Sequence, residues 1–123
     1  MKNLFLCHPT CTTCKKAREW LAGQGIPCGE RDIREPNPSA AELVEWVKRS
    51  GLPPRKMFNT SGMQYRALNL SARLPNMSDA EQIALLASDG MLVKRPVMVA
   101  GNGKVLFGFK EAQWAEAFGK ENA

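Results

Sequence analysis

The sequence predicts an α/β fold in which an N-terminal βαβ half and a C-terminal ββα half share one mixed four-stranded sheet, with a helical segment inserted between them. Three observations carry this. A short apolar run, Lys2 to Leu6, gives way after Cys14 to apolar residues at helical spacing. Two β-rich runs, Met91 to Ala100 and Lys104 to Phe109, flank Gly101-Asn102-Gly103, whose Asn-Gly pair is a strong hairpin signal. Between these halves, two Ser-x-x-Glu capping boxes mark helix starts. A length of 123 residues suits one domain, 1–123, with a core from 1–35 and 91–119 and an insertion from 36–90.

Taken in order, Lys2 to Leu6 followed by Pro9 suits a buried strand that delivers Cys7 to Cys14 to a turn. Ala17, Trp20 and Leu21, set among Lys15, Lys16, Arg18 and Glu19, form the apolar face of a helix that begins at the cysteines and stops at Gly23 and Gly25. Ile26 to Ile33, containing Cys28, reads as a second, buried strand. Pro36-Asn37-Pro38 then interrupts regular structure. Ser39-x-x-Glu42 starts a helix with Leu43, Trp46 and Val47 on one face, ending near Ser50 before Gly51-Leu52-Pro53-Pro54. Arg55 to Leu74, with Met57, Phe58, Tyr65, Leu68 and Leu70 around the turn-like Asn59-Thr60-Ser61-Gly62, suggests short helical pieces. Ser78-x-x-Glu81 opens another helix that runs through Ile83, Leu85 and Leu86 to Asp89-Gly90. After the antiparallel hairpin, Lys110 to Phe118 makes a last helix before a frayed polar tail. A right-handed βαβ crossover makes the first two strands parallel, the hairpin joins them, and the outer helices cover the faces.

The hydrophobic fraction of 44% and charged fraction of 24% exclude disordered and collagen-like classes. The formal charge is +5, but the basic residues are scattered and only one Tyr and five Phe are available for stacking. The charge therefore reads as solubility, and direct nucleic-acid binding is not expected. The first apolar stretch is too short for a signal core, and nothing approaches the roughly 18 apolar residues of a membrane helix. The expectation is a cytoplasmic protein without a membrane partner. There, four cysteines including a C-x-x-C pair read as reactive or metal-binding thiols rather than a disulfide scaffold.

The reactive form of cysteine is the thiolate, favoured at a helix N-terminus and near cations. Cys11 stands at such an end, with Lys15, Lys16 and Arg18 following within two turns, and is the expected nucleophile. Cys14, one turn along, is placed to resolve a mixed disulfide or sulfenic acid on Cys11. His8, Pro9, Thr10, Thr12, Thr13 and Lys15 surround the pair in sequence and are the expected substrate-facing residues. His8 is open to three readings, as a base, a field-setting cation or a plain loop residue. Cys7, His8, Cys11, Cys14 and Cys28 also offer zinc ligands, but the spacing lacks a second paired group. Cys7 and Cys28 read as small buried hydrophobes, with Cys7 an alternative partner for Cys11. In Lys94-Arg95-Pro96-Val97, a proline before a β-rich run is able to be cis, and Arg95 is placed to hold an anionic group or favour a thiolate.

With these residues in hand, the chain resembles the arsenate reductase and Spx family, glutaredoxin-related proteins with a thioredoxin-like fold and a helical insertion. The resemblance rests on Pro9-Thr10-Cys11-Thr12-Thr13-Cys14-Lys15-Lys16-Ala17, the block from Asn59 to Gly62 with Tyr65-Arg66, Ala87 to Pro96, and Gly108-Phe109-Lys110-Glu111. It implies that Cys11 is the catalytic cysteine and that Arg95-Pro96 are the arginine and cis-proline facing it. It also implies a thiol reductant as electron donor, either glutathione, glutaredoxin or thioredoxin, and no bound cofactor. The chain departs from the reductases at Cys7-His8-Pro9-Thr10-Cys11 and at Asn59 and Phe109, which stand where two anion-binding arginines are expected. That argues against arsenate as the substrate. Cys14 is shared with the Spx-type regulators, whose resemblance implies a redox switch and the RNA polymerase α-subunit as a partner.

Overall fold

Leu4–Cys7 (β1) is the strand around which the sheet is assembled, because it is apolar throughout and pairs on both edges. The computed structural model describes residues 2–119. Residues 12–23 form α1 (Thr12–Gly23), followed by β2 (Gly29–Asp32), which runs parallel to β1 with Leu4 opposite Gly29 and Cys7 opposite Asp32. β3 (Val97–Val99) pairs antiparallel on the other edge of β1, with Leu6 opposite Val97, and β4 (Val105–Phe107) pairs antiparallel with β3. The four strands lie in the order β2-β1-β3-β4, the mixed sheet that the two half-motifs predict. The polar tail expected after Phe118 lies, from residue 120 on, outside the described residues.

By its contacts the chain divides into two units, one of residues 2–32 with 95–119 and one of residues 33–94. In the first, α1 and the last helix, Glu111–Ala117, both pack on the sheet face that carries Phe5, Cys7, Met98 and Ala100. The two outer helices thus share one face, where the sequence suggested that they cover both. Trp114 is fully buried there. It stands edge-on to Phe5, Trp20 and Phe109 with ring centroids 6.3, 6.2 and 5.0 Å away, and its Nε1–H donates to the Gly108 carbonyl at 3.0 Å. Such edge-to-face pairs favour the quadrupoles of both rings, and the one polar atom of the indole is satisfied.

The second unit, 33–94, is built on its capping boxes. In α2 (Ala40–Ser50), Ser39 Oγ accepts from the Glu42 N–H at 3.1 Å and Glu42 Oε1 accepts from the Ser39 N–H at 3.0 Å. Gly51 closes the same helix at φ 75°, where a side chain is disfavoured. Two short helices follow, α3 (Met63–Ala67) and α4 (Leu70–Arg73), and then α5 (Asp79–Ser88), whose Ser78–Glu81 box has contacts of 3.1 and 2.9 Å. Glu-Ser reciprocity satisfies donors that a helix start otherwise leaves unpaired. Ile33, Leu43, Met57, Phe58, Leu70, Leu86, Leu92 and Val93 are buried, and Asn37 Nδ2 donates to the Ala87 carbonyl at 2.7 Å.

Two further sequence expectations change. The second strand covers only Gly29–Asp32 and is exposed at Gly29 and Glu30 and half-buried at Arg31 and Asp32, because it is a sheet edge, where charged side chains such as these disfavour pairing with other chains. Ile26 and Cys28 precede it. The run from Met91 to Ala100 is not one strand. Asp89 Oδ1 accepts from the Met91 N–H at 2.9 Å and winds Gly90–Leu92 into a 3-10 turn, and Pro96 has no N–H to give, so β3 begins at Val97.

Gly90 sits against the chain itself. A Cβ there would lie 2.0 Å from the Ile33 carbonyl oxygen, whereas one on Gly23, at the end of α1, would meet nothing within 4 Å. Gly90→Ala is expected to lower unfolding free energy by about 1–3 kcal/mol, and Gly23→Ala to leave it unchanged or raise it by up to about 1 kcal/mol. Urea denaturation followed by circular dichroism measures both; equal stabilities for the two variants would contradict this packing.

Candidate active site

The chain must turn from β1 into α1 through His8, Pro9, Thr10 and Cys11, and His8 organises that turn. Its carbonyl accepts from the Cys11 N–H at 3.2 Å, and its own N–H points at Cys14 Sγ at 3.4 Å. Its ring Nδ1 accepts from the Thr10 N–H at 3.1 Å and lies 3.0 Å from Thr10 Oγ1. Because the Thr10 N–H donates to Nδ1, that atom is the acceptor and the ring proton sits on Nε2. Pro9 and Thr10 are exposed at the tip.

Cys11 is the N-cap of α1, with extended backbone (φ −78°, ψ 121°) and no side-chain capping hydrogen bond. The helix start therefore leaves N–H dipoles that act on its half-buried sulfur. Burial pushes the Cys11 thiol up, but the Cys14 N–H, the Cys14 thiol, the Arg95 guanidinium and the Thr13 N–H all favour its thiolate, and together they hold it below the usual thiol range. Cys14 behaves in the opposite way. It is fully buried, and burial pushes its thiol up to about 12 against the His8 N–H, while its hydrogen bond to Cys11 and the charge there push it the same way. One turn of helix thus separates a sulfur whose thiolate is favoured from a thiol that donates to it.

Arg95 reaches this pair from the residue before buried Pro96, and the Arg95-Pro96 peptide bond is cis, as the resemblance implies. The guanidinium has spare donors: Nε and Nη1 are buried and make no hydrogen bond. The cation that acts on Cys11 is therefore Arg95, not the three that follow it in sequence. Lys15 and Lys16 are exposed on α1. Arg18 is turned elsewhere, with Nε 2.7 Å from Glu30 Oε1, Nη2 3.1 Å from Cys7 Sγ and its guanidinium carbon 5.7 Å from the Phe5 ring centre. No local sequence signal pairs Arg18 with Glu30; the parallel register that sets Glu30 beside Phe5 does so. Thr12 is exposed and Thr13 half-buried in the first helical turn.

Cys7 is buried, as its strand-end position suggests, and burial pushes its thiol up, with Arg18 opposing and Glu30 and Asp32 adding to the rise. Cys28 is only half-buried, because it precedes the edge strand instead of lying within a buried one, and burial raises its thiol as well. It lines a hollow with Lys2, Asn3, Pro27 and Gly29 at the end of β1 opposite the Cys11 loop. Phe109 packs 5.0 Å from Trp114 and 6.1 Å from Trp20, so that position is an aromatic core contact. Among the described residues no group of three or more His, Cys, Asp or Glu is placed to hold a metal ion, and no helix is long and apolar enough to cross a membrane.

Comparison with known proteins gives a consistent picture. The sequence model of the ArsC family matches residues 6–117. The uncharacterized Bacillus subtilis protein YusI is 50% identical over 94% of this chain and 98% of its own length. A Bacteroides fragilis crystal structure, described as a putative ArsC family related protein, has 50% identity and a TM-score of 0.91 over 94% of this chain and 97% of that one. The global transcriptional regulator Spx of Streptococcus mutans is 28% identical over 90% of this chain and 78% of its own length.

Two outcomes test this geometry. Iodoacetamide is expected to label Cys11 with a midpoint below the usual thiol range and to spare Cys14 until pH approaches its value of about 12. Arg95→Met removes one of the groups favouring the Cys11 thiolate and should move that midpoint upward; peptide mass mapping across pH reads both. For the loop, His8→Asn retains an acceptor at the Nδ1 position, whereas His8→Leu removes it at a cost of ~1 kcal/mol. Hydrogen exchange of the Thr10 amide should quicken about fivefold in His8→Leu and hold in His8→Asn.

Proposed function

The chain belongs to the ArsC family, and from that membership and its thiol pair we propose that it is a thiol-dependent oxidoreductase, with Cys11 the nucleophile and Cys14 the resolving cysteine. The observation that carries this reading is the opposed acidity of the two sulfurs, Cys11 lowered and Cys14 raised to about 12.

Cys11 thiolate attacks one sulfur of a disulfide, the new S–S bond forms, and the other sulfur leaves as a thiolate that takes a proton from solvent. Before this step the Cys11 charge and its hydrogen bond help keep Cys14 protonated. Once Cys11 is bound in a mixed disulfide, both contributions vanish and the Cys14 thiol becomes easier to deprotonate. Its thiolate attacks Cys11 Sγ, expels the remaining substrate thiolate and leaves a Cys11–Cys14 disulfide. Two electrons from a thiol reductant, glutathione, glutaredoxin or thioredoxin, return the pair to its starting state. Pro9, Thr10, Thr12, Thr13, Lys15 and Pro96 line the approach by position, and the unused Arg95 donors suit an anionic group on the substrate. The aromatic packing of Phe109 supports a substrate other than arsenate.

A second reading rests on the similarity to the regulator Spx: the same disulfide acts as a switch, with RNA polymerase through its α-subunit as partner. Turnover separates the two. Many reductions per molecule of a model disulfide, with a thiol reductant, support the enzyme; a single oxidation event per molecule together with co-purification of RNA polymerase supports the switch.

Cys11→Ser is expected to abolish turnover and Cys14→Ser to accumulate a mixed disulfide on Cys11, visible as a mass increase in intact protein. Arg95→Met should lower kcat/KM for a carboxylate-bearing disulfide about ten- to a hundredfold relative to an uncharged one, the range for a lost hydrogen bond to a charged group. Equal losses on both substrates would confine Arg95 to the thiolate.

A further inference from the structure

The charge of this protein is distributed unevenly along its sequence. From Trp46 to Ser78 there are six basic residues and no acidic one, against eleven basic and twelve acidic in the rest of the chain. The basic residues are scattered in sequence, and what sets this stretch apart is that it carries no carboxylate of its own. The same stretch holds three of the four large apolar side chains that stand exposed among the described residues: Leu52 at 45%, Met63 at 83% and Leu68 at 37%.

Two of these meet two of the cations on the α3–α4 surface. Helical spacing puts Met63, Arg66 and Ala67 on one face of α3, and all three are exposed. The opposite side is anchored by Tyr65, whose ring lies 6.5 Å from that of buried Phe58, and α4 is held by buried Leu70. Arg73 Nη1 donates to the Leu68 carbonyl at 3.1 Å, which fixes that cation beside the exposed Leu68. Among the described residues neither Arg66 nor Arg73 makes an ion pair, and both stand exposed on the same short segment as Met63 and Leu68.

We propose that the α3–α4 surface docks an acidic segment of a partner protein that carries apolar residues between its carboxylates. Charge complementarity names the sign of that partner, and Met63 and Leu68 name its second requirement, since a purely ionic ligand gains nothing from them. Nucleic acid fits less well, because the aromatic residues of the stretch are turned inward, Trp46 and Phe58 buried and Tyr65 half-buried, so no ring stands open for base stacking. A membrane fits less well too, since α3 has only five residues to lay in an interface. This inference is independent of the thiol chemistry, whose residues belong to the other unit.

The test uses the full-length reduced protein and a fluorescein-labelled peptide of glutamate and leucine at helical spacing, with a glutamate–serine peptide and a single-stranded oligonucleotide as comparisons. Fluorescence anisotropy is expected to show saturable, salt-sensitive binding of the glutamate–leucine peptide. Arg66→Glu with Arg73→Glu should weaken it about tenfold or more, Met63→Ser should weaken it severalfold, and Lys2→Glu with Lys104→Glu, the same charge change elsewhere, should leave it nearly unchanged. All substituted positions are exposed, and unchanged thermal melting certifies the fold of each variant. Absence of saturable binding, equal binding of the glutamate–serine peptide, equal weakening by the Lys2/Lys104 pair, or displacement of the peptide by the oligonucleotide would each overturn the proposal.

Discussion

The pairing of Leu6 with Val97 is the contact on which the candidate site depends. β1 and β3 run antiparallel, so the residues that follow Leu6 and those that precede Val97 emerge at the same end of the sheet. On one strand these are Cys7, His8 and the loop to Cys11; on the other they are Pro96 and Arg95. Phe5 and Met98 are buried on one face and Leu6 and Val97 on the other, and a register slip of one residue would exchange the two packed sets, so their burial holds the alignment that brings Arg95 to a cysteine more than eighty positions away. The packing of an apolar strand thus does the work of positioning a cation.

At that end of the sheet the chemistry follows from unequal burial. Cys11 and Cys14 are one helical turn apart and see the same helix start, yet only Cys11 combines partial exposure with N–H dipoles, a donating thiol and a guanidinium. Cys14 is fully buried and acts as the donor. The groups that favour the Cys11 thiolate lie in the first helical turn and at Arg95, and the core around Phe5, Met98 and Trp114 supplies the burial of Cys14. His8 contributes by backbone and ring acceptor to the shape of the loop, and so governs where both sulfurs sit. The Arg18–Glu30–Cys7 contacts remove a nearby cation from competition and leave Cys7 a buried, weakly acidic thiol.

The two units divide the physical properties of the chain. Residues 2–32 and 95–119 hold the sheet, the aromatic cluster around Trp114 and the thiol pair. Residues 33–94 are held by two capping boxes, a close approach at Gly90 and a separate set of buried aliphatic side chains, and they carry the acid-free stretch with its exposed apolar residues. The thiol pair thus belongs to one unit, and the acid-free stretch with Met63 and Arg66 to the other.

Much of this was legible in the sequence because it is local. The βαβ and ββα halves, both capping boxes, the hairpin at Asn102-Gly103 and the helix that starts at the cysteines depend on spacing within a few residues, and the structure contains all of them. The motif residues around Cys11 were equally legible, since a C-x-x-C pair at a helix start is a short-range pattern. What the sequence left open or misjudged depends on distant neighbours. Gly29–Asp32 is an edge because among the described residues nothing pairs beyond it, both outer helices share one face, Arg18 turns to Glu30, and Arg95 supplies the charge that spacing alone assigns to Lys15 and Lys16. Spacing along a chain determines which residues form a helix or a turn, but electrostatics falls off with distance in space, and only the register of β1 with β2 and β3 decides which charges stand close enough to act.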